Sequence, residues 1–211
     1  MKHEFMAHGI SSHKQGIVIL FESTVEPACE PDPVRLFIVL DDQHSTLPDK
    51  LTIESKYWLT WSDITPQWLD DTQPDLLLVW SPKTSQLPFV DTISEEYNLL
   101  YLQDDHKDKC LQFYQRLAQA CLEPHNHFDV ADVRNFIGYS SRFYVTDDLK
   151  QVEQSKPVDN LIAILFGRLQ VDDIRSTSDS IRPLLKETAL FPMVWQSEDC
   201  ELGCYYLLGL R

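Results

Sequence analysis

The sequence predicts an α/β protein, with a mostly parallel sheet under helices followed by a smaller α+β part, and three observations carry this. Apolar runs of strand length alternate with helical patterns through the first half, the pattern of a helix-covered parallel sheet. One long amphipathic helix then occupies residues 104–122. Beyond it, Leu161 to Leu210 orders itself as strand, helix, strand, strand. The expected organisation is therefore residues 1–103, a central helix at 104–124, and residues 125–211.

Ile17 to Phe21 and Val34 to Leu40 are short apolar runs that read as buried strands, and the bridge holding Pro27, Pro31 and Pro33 is loop. Tyr57 to Trp61 is aromatic and β-prone, and Ser62 or Asp63 is placed to cap a short helix through Leu69. Asp75 to Trp80 is a further buried strand, Val90 to Tyr97 a helix, and Leu99 to Leu102 a strand. In the long helix Leu111, Tyr114, Leu117, Ala118 and Cys121 recur at three- and four-residue spacings, Phe113 and Ala120 widen the stripe, and Pro124 stops it. The acids around its start, Asp104, Asp105 and Asp108 with His106, suit a helix N-terminus.

Ser141 to Thr146 alternates like a half-buried strand, Asp147 to Lys156 is polar helix or loop, and Asn160 to Gly167 is a strand ending in glycine. Asp172 and Asp173 open a helix whose inward face is Ile174, Ile181, Leu184 and Leu185, and Pro183 kinks or ends it. Phe191 to Trp195 and Cys204 to Leu210 read as two strands joined by an acidic hairpin, Gln196 to Gly203.

With 43% hydrophobic residues, 5 Trp, 8 Tyr and 10 Phe in 211 residues, the chain has the material for a real core. Its formal charge of −15 opposes binding to nucleic acid or to anionic lipid, both of which depend on Lys and Arg. No apolar run approaches the roughly 20 residues that span a bilayer, and the polar N-terminus carries no targeting signal, so a cytoplasmic protein with reduced thiols is expected. Cys29, Cys110, Cys121, Cys200 and Cys204 are odd in number and scattered, and neither Cys200 with Cys204 nor His125, His127 and Asp129 completes a metal-ligand set. No Walker lysine motif, Gly-x-Ser-x-Gly elbow or Ser-His-Asp order appears, so neither a catalytic residue nor a cofactor site is assigned. Trp58, Trp61 and Trp68 read as core.

After the long helix comes His127-Phe128-Asp129-Val130-Ala131-Asp132-Val133-Arg134. It resembles the synergy loop of the tubulin/FtsZ family, Asn-x-Asp-x-x-Asp-Val-Arg, which reaches into the next subunit and activates the water that attacks its GTP. Asp129, Asp132, Val133 and Arg134 match, and His127 stands where the family has Asn. The order of elements after the loop is also similar to the family's C-terminal domain, and the resemblance covers about the last half of the chain. It implies a reduced FtsZ/tubulin-like fold, and an end at Arg211 without the tail that recruits membrane anchors.

The first half departs from the family, whose GTP sits on glycine-rich loops because only glycine lets backbone amides close on the phosphates. Here the strand ending at Trp80 runs into Ser81-Pro82-Lys83-Thr84-Ser85-Gln86, and just Gly9 and Gly16 of the 6 glycines precede the loop. Loss of nucleotide binding is expected. The resemblance then implies an interaction protein, not an enzyme, with His127, Asp129, Asp132 and Arg134 as partner-binding residues and an FtsZ-like subunit, or itself, as partner. Such a chain keeps one of the two complementary faces that head-to-tail assembly requires and would cap a filament. The alternatives are an adaptor that keeps the fold for an unrelated partner, and a GTPase with divergent phosphate loops.

Overall fold

In the computed structural model, residues 33–47, 53–82, 93–94, 96–104, 106–123, 128–152 and 158–210 are described. Pro33–Arg211 forms one compact unit. The expected strand at Ile17 to Phe21 lies outside the described residues, as do Asp105 and His127.

The first sheet consists of β1 (Leu36–Leu40), β2 (Trp58–Thr60), β3 (Leu76–Ser81) and β4 (Leu99–Gln103) in the order β2-β1-β3-β4. All three pairings are parallel. Continuous apolar runs make these strands because both faces are covered. Leu36, Ile38, Leu40, Leu76, Leu78, Trp80, Leu100 and Leu102 face one core, together with α2 (Lys107–Leu122). Val39, Leu77, Val79 and Leu99 face another, with Trp61, Leu69 and Ile93. The expected tryptophan cluster is thus core but divided: Trp58 joins the first core, Trp61 the second, and Trp68 meets Phe37 edge-on at 5.1 Å.

The short helix starts later than its sequence suggested. Asp63 is spent accepting the Thr60 amide at 2.7 Å around a 3-10 turn, Trp61–Asp63. The helix α1 (Pro66–Thr72) follows, with Thr65 as its cap and proline at its first turn. Of the helix expected at Val90 to Tyr97, residues 93, 94 and 96 are helical and residues 90–92 and 95 lie outside the described residues.

α3 (Val130–Tyr139) leads to the second sheet, made of β5 (Arg142–Thr146), β6 (Val158–Gly167), β7 (Leu185–Leu190), β8 (Met193–Ser197) and β9 (Gly203–Leu210). Its order is β5-β9-β6-β7, with β8 also on β6. Alternate residues of β6 serve two cores: Ile162 and Ile164 face the core of α2 and α3, while Leu161, Ala163 and Leu165 face that of α4 (Val171–Ile181).

Two expectations fail here. β8 and β9 are not a hairpin, because β6 lies between them, parallel to β8 and antiparallel to β9. Leu185 belongs to no helix face: α4 ends at Ile181, Pro183 sits in a 3-10 turn, and Leu185 opens the strand β7. No helix among the described residues is long and apolar enough to cross a membrane.

Candidate functional site

The helix α2 sets the geometry, because its 16 residues span about 24 Å and so traverse the first sheet from end to end. Its first turn lies at the C-terminal ends of the strands. There Lys107 Nζ donates to Thr46 O, beyond β1, and its ammonium sits 5.8 Å from the Trp80 ring centroid, while Trp80 Nε1 donates to the Asp104 carbonyl at 3.0 Å. Halfway along, the buried Tyr114 hydroxyl lies 2.8 Å from the carbonyl oxygens of both Val79 and Leu100. The residues after α2 consequently emerge at the opposite, N-terminal end of the strands.

That is where the acidic motif sits. Asp129 is the N-cap of α3: its Oδ1 accepts from the Ala131 amide at 2.7 Å and the Asp132 amide at 3.2 Å. Asp132 Oδ2 accepts in return from the Asp129 amide at 3.1 Å, completing a capping box. Asp129 and Arg134 are exposed, Asp132 is half-buried, and Val133 is fully buried. Burial raises the Asp132 carboxyl above the ordinary aspartate range; the Asp129 amide partly offsets this and the Asp129 charge adds to it. Arg134 reaches the strand ends through its charge, helping to lower Asp75. Burial works against that lowering, but the Arg35 amide and guanidinium, both donating to the Asp75 carboxylate, outweigh it.

At the other pole the ends of β1 and β3 carry an acid. Asp41 is buried, its Oδ1 accepting from the Gln43 amide at 2.9 Å, and the fully buried Ser81 hydroxyl lies 3.4 Å from Asp41 Oδ2. Pro82 follows directly, and residues 83–86, the remainder of the turn read from the sequence, lie outside the described residues. A cleft of about 230 Å³ lies elsewhere, lined by Ile64, Pro66, Leu69, Asp70, Ile93, Glu96 and Tyr97.

Sequence reasoning missed the polar lock between α2 and the second sheet. Arg116 donates to both carboxylate oxygens of Glu198, at 2.8 and 3.2 Å, and to Gln196 Oε1 at 3.1 Å. Its guanidinium lies 3.5 Å from the centroid of the Phe166 ring, and Gln196 Nε2 donates back to the Arg116 carbonyl at 2.9 Å. The available signal was Arg116 as the one arginine of α2, set between the buried Gln115 and Leu117. Of the cysteines, Cys110 and Cys121 are buried in the core, and burial pushes the Cys110 thiol up to about 12.

No protein-family model and no curated protein matches the chain. Among solved structures it is similar to CetZ from Methanosaeta thermophila strain DSM 6194, with a TM-score of 0.42 and 10% identity over 75% of this chain and 74% of that one. It is also similar to a point mutant of FtsZ from M. jannaschii, with a TM-score of 0.36 and 11% identity over 69% of this chain. There the chain spans about half, 49%, of the FtsZ length. With identities of 10% and 11% and TM-scores of 0.42 and 0.36, neither likeness assigns this chain a family or a role. The α/β class, with a parallel first sheet, a central helix and a C-terminal α+β sheet, rests on the strand pairings themselves.

Proposed function

We propose that this chain is a non-catalytic FtsZ-like interaction protein which docks on an FtsZ-like subunit through the pole that carries Asp129 and Arg134. The observation behind this is the separation of poles: the loop similar to a synergy loop lies at one end of α2, and an acidic, proline-bearing strand end lies at the other. A subunit with one usable face joins a filament end and stops growth there. The capping box favours a second reading, in which Asp129 and Asp132 serve only to start α3 and the fold has been kept for an unrelated partner.

The test must remove charge without removing the cap. Asp129→Asn retains a side-chain oxygen for the Ala131 and Asp132 amides, whereas alanine there would cost about 1 kcal/mol of helix stability. Arg134→Glu reverses an exposed charge outside the cap. Light scattering of a GTP-polymerising FtsZ should fall with substoichiometric wild-type protein, recover fully with Arg134→Glu and partly with Asp129→Asn. Equal inhibition by all three, or none by any, would leave the capping box as the loop's whole role. Calorimetry with GTP should register no binding; saturable micromolar heat would reverse the non-catalytic assignment.

A further inference from the structure

The strand β8 closes one edge of the second sheet, and its hydrogen-bonding direction is fixed by two bonds. Ala163 N donates to Pro192 O at 3.1 Å, and Glu198 N donates to Gly167 O at 3.2 Å. Along a parallel strand, the backbone groups of alternate residues face the same neighbour. Pro192, Val194, Gln196 and Glu198 therefore turn their amide or carbonyl groups to β6, and Met193, Trp195 and Ser197 turn theirs outward. Among the described residues β8 has no strand partner other than β6.

Unpaired edges invite pairing, and proteins commonly guard them with charge or bulges. The strand β7, on the same side of β6, is guarded: Lys186 and Glu187 are exposed on it, and its register with β6 shifts between Val158 and Asn160. The strand β8 has neither device. At its centre is Trp195, 51% exposed and in register with Leu165 of β6. Around the C-terminal end of β6, Leu202 lies against Gly167 and is 52% exposed, and Val171, first residue of α4, is 73% exposed. An indole beside outward-facing amides is the make-up of a strand-addition site.

The charge around the site chooses the occupant. Asp199 follows β8 by two residues and pairs with Arg168, Glu201 lies against Gly167, which is in register with Ser197, and beyond the end of β6 Asp172 and Asp173 open α4, with Arg175 facing Asp172. A second copy of a chain carrying −15 would bring like charges together at this edge. We infer that β8 accepts an extended segment of another protein, one alternating apolar and basic residues, which adds a strand beside Trp195 with its cations toward Asp172, Asp199 and Glu201. This is a separate surface from the α3 pole, and it stands or falls independently of the filament-end reading.

The probe is a fluorescein-labelled eight-residue peptide alternating valine and lysine, with a control in which glutamate replaces lysine, read by fluorescence polarisation on the full chain. The lysine peptide should bind saturably and weaken as salt is raised, while the glutamate peptide should not bind. Ser197→Pro removes an outward amide, which an edge position tolerates, and Trp195→Thr keeps a β-prone residue without the indole. Each variant, with wild-type melting retained, should weaken binding tenfold or more; if one fails to fold, the other decides. Absence of saturable binding, equal binding of the two peptides, or affinity unchanged in the folded variants would overturn the inference. So would sedimentation of the wild type as a dimer that Trp195→Thr converts to monomer, since the edge would then belong to a second copy.

Discussion

Arg116 carries the largest polar load of any side chain between α2 and the second sheet, and its partners respond differently to pH. Its hydrogen bonds hold the Glu198 carboxyl below the usual glutamate range, against a smaller opposing effect of burial. A lowered folded-state pKa contributes stability that is present above the unfolded value, about 4.3, and is lost as pH falls through the folded value. The contacts to Phe166 and Gln196 do not titrate in that window. Arg116→Ala should therefore cost about 3 kcal/mol at pH 7, because a half-buried carboxylate loses its partner along with the ring and amide contacts. Below about pH 4 roughly 1 kcal/mol of that difference should disappear, the Glu198 side chain being 31% exposed and its pair partly screened. Chemical denaturation of both proteins from pH 3 to 7 checks this, and a difference constant with pH would remove Glu198 from the account.

At the scale of elements, the legible parts of the sequence were those whose period matched their burial. The strands β1, β3, β4 and β6 are near-continuous apolar runs because both their faces are covered, and the stripe of α2 emerged because its apolar residues recur at three- and four-residue spacings. β7 was hidden for the opposite reason: Leu-Lys-Glu-Thr-Ala-Leu is an edge strand with no fully buried residue, so its first leucine, Leu185, reads together with Leu184 as extending the face of α4. The false hairpin arose because acidic residues between two apolar runs look alike whether the runs pair with each other or flank a third strand. Within the candidate site, the acidic motif was visible as residues, but the reciprocal caps that occupy Asp129 and Asp132 depend on where α3 begins. Gly167 is the element-level exception, since its role was half visible as a strand-ending glycine. Its φ of +104° is one that side chains rarely adopt, and a Cβ there would run into the Glu201 backbone. Gly167→Ala should cost at least 2 kcal/mol, seen as an earlier denaturation midpoint, whereas Gly138→Ala, in open space on α3, should be neutral or stabilising.

At the scale of the molecule, one apolar cluster joins residues that the sequence assigns to separate parts. Leu36, Ile38 and Leu78 of the first sheet, Leu111, Phe113 and Leu117 of α2, Phe136 of α3, and Ile162, Ile164 and Leu207 of the second sheet all belong to it. The two sheets therefore share a core through the central helix and should not unfold independently. Leu117 is fully buried, and Leu117→Ala should cost about 3 kcal/mol through lost transfer energy and the cavity left behind. For a unit of this size that lowers the melting temperature by roughly 6–12 °C. The discriminating measurement is native-state hydrogen exchange on the wild type and the variant, following amides in β1 and β3 separately from those in β6 and β9. If α2 couples the sheets, both sets lose the same protection and the calorimetric transition stays single. Loss confined to the first sheet, or a second transition in the variant, would mean that the halves fold as separate units and that α2 belongs to only one of them.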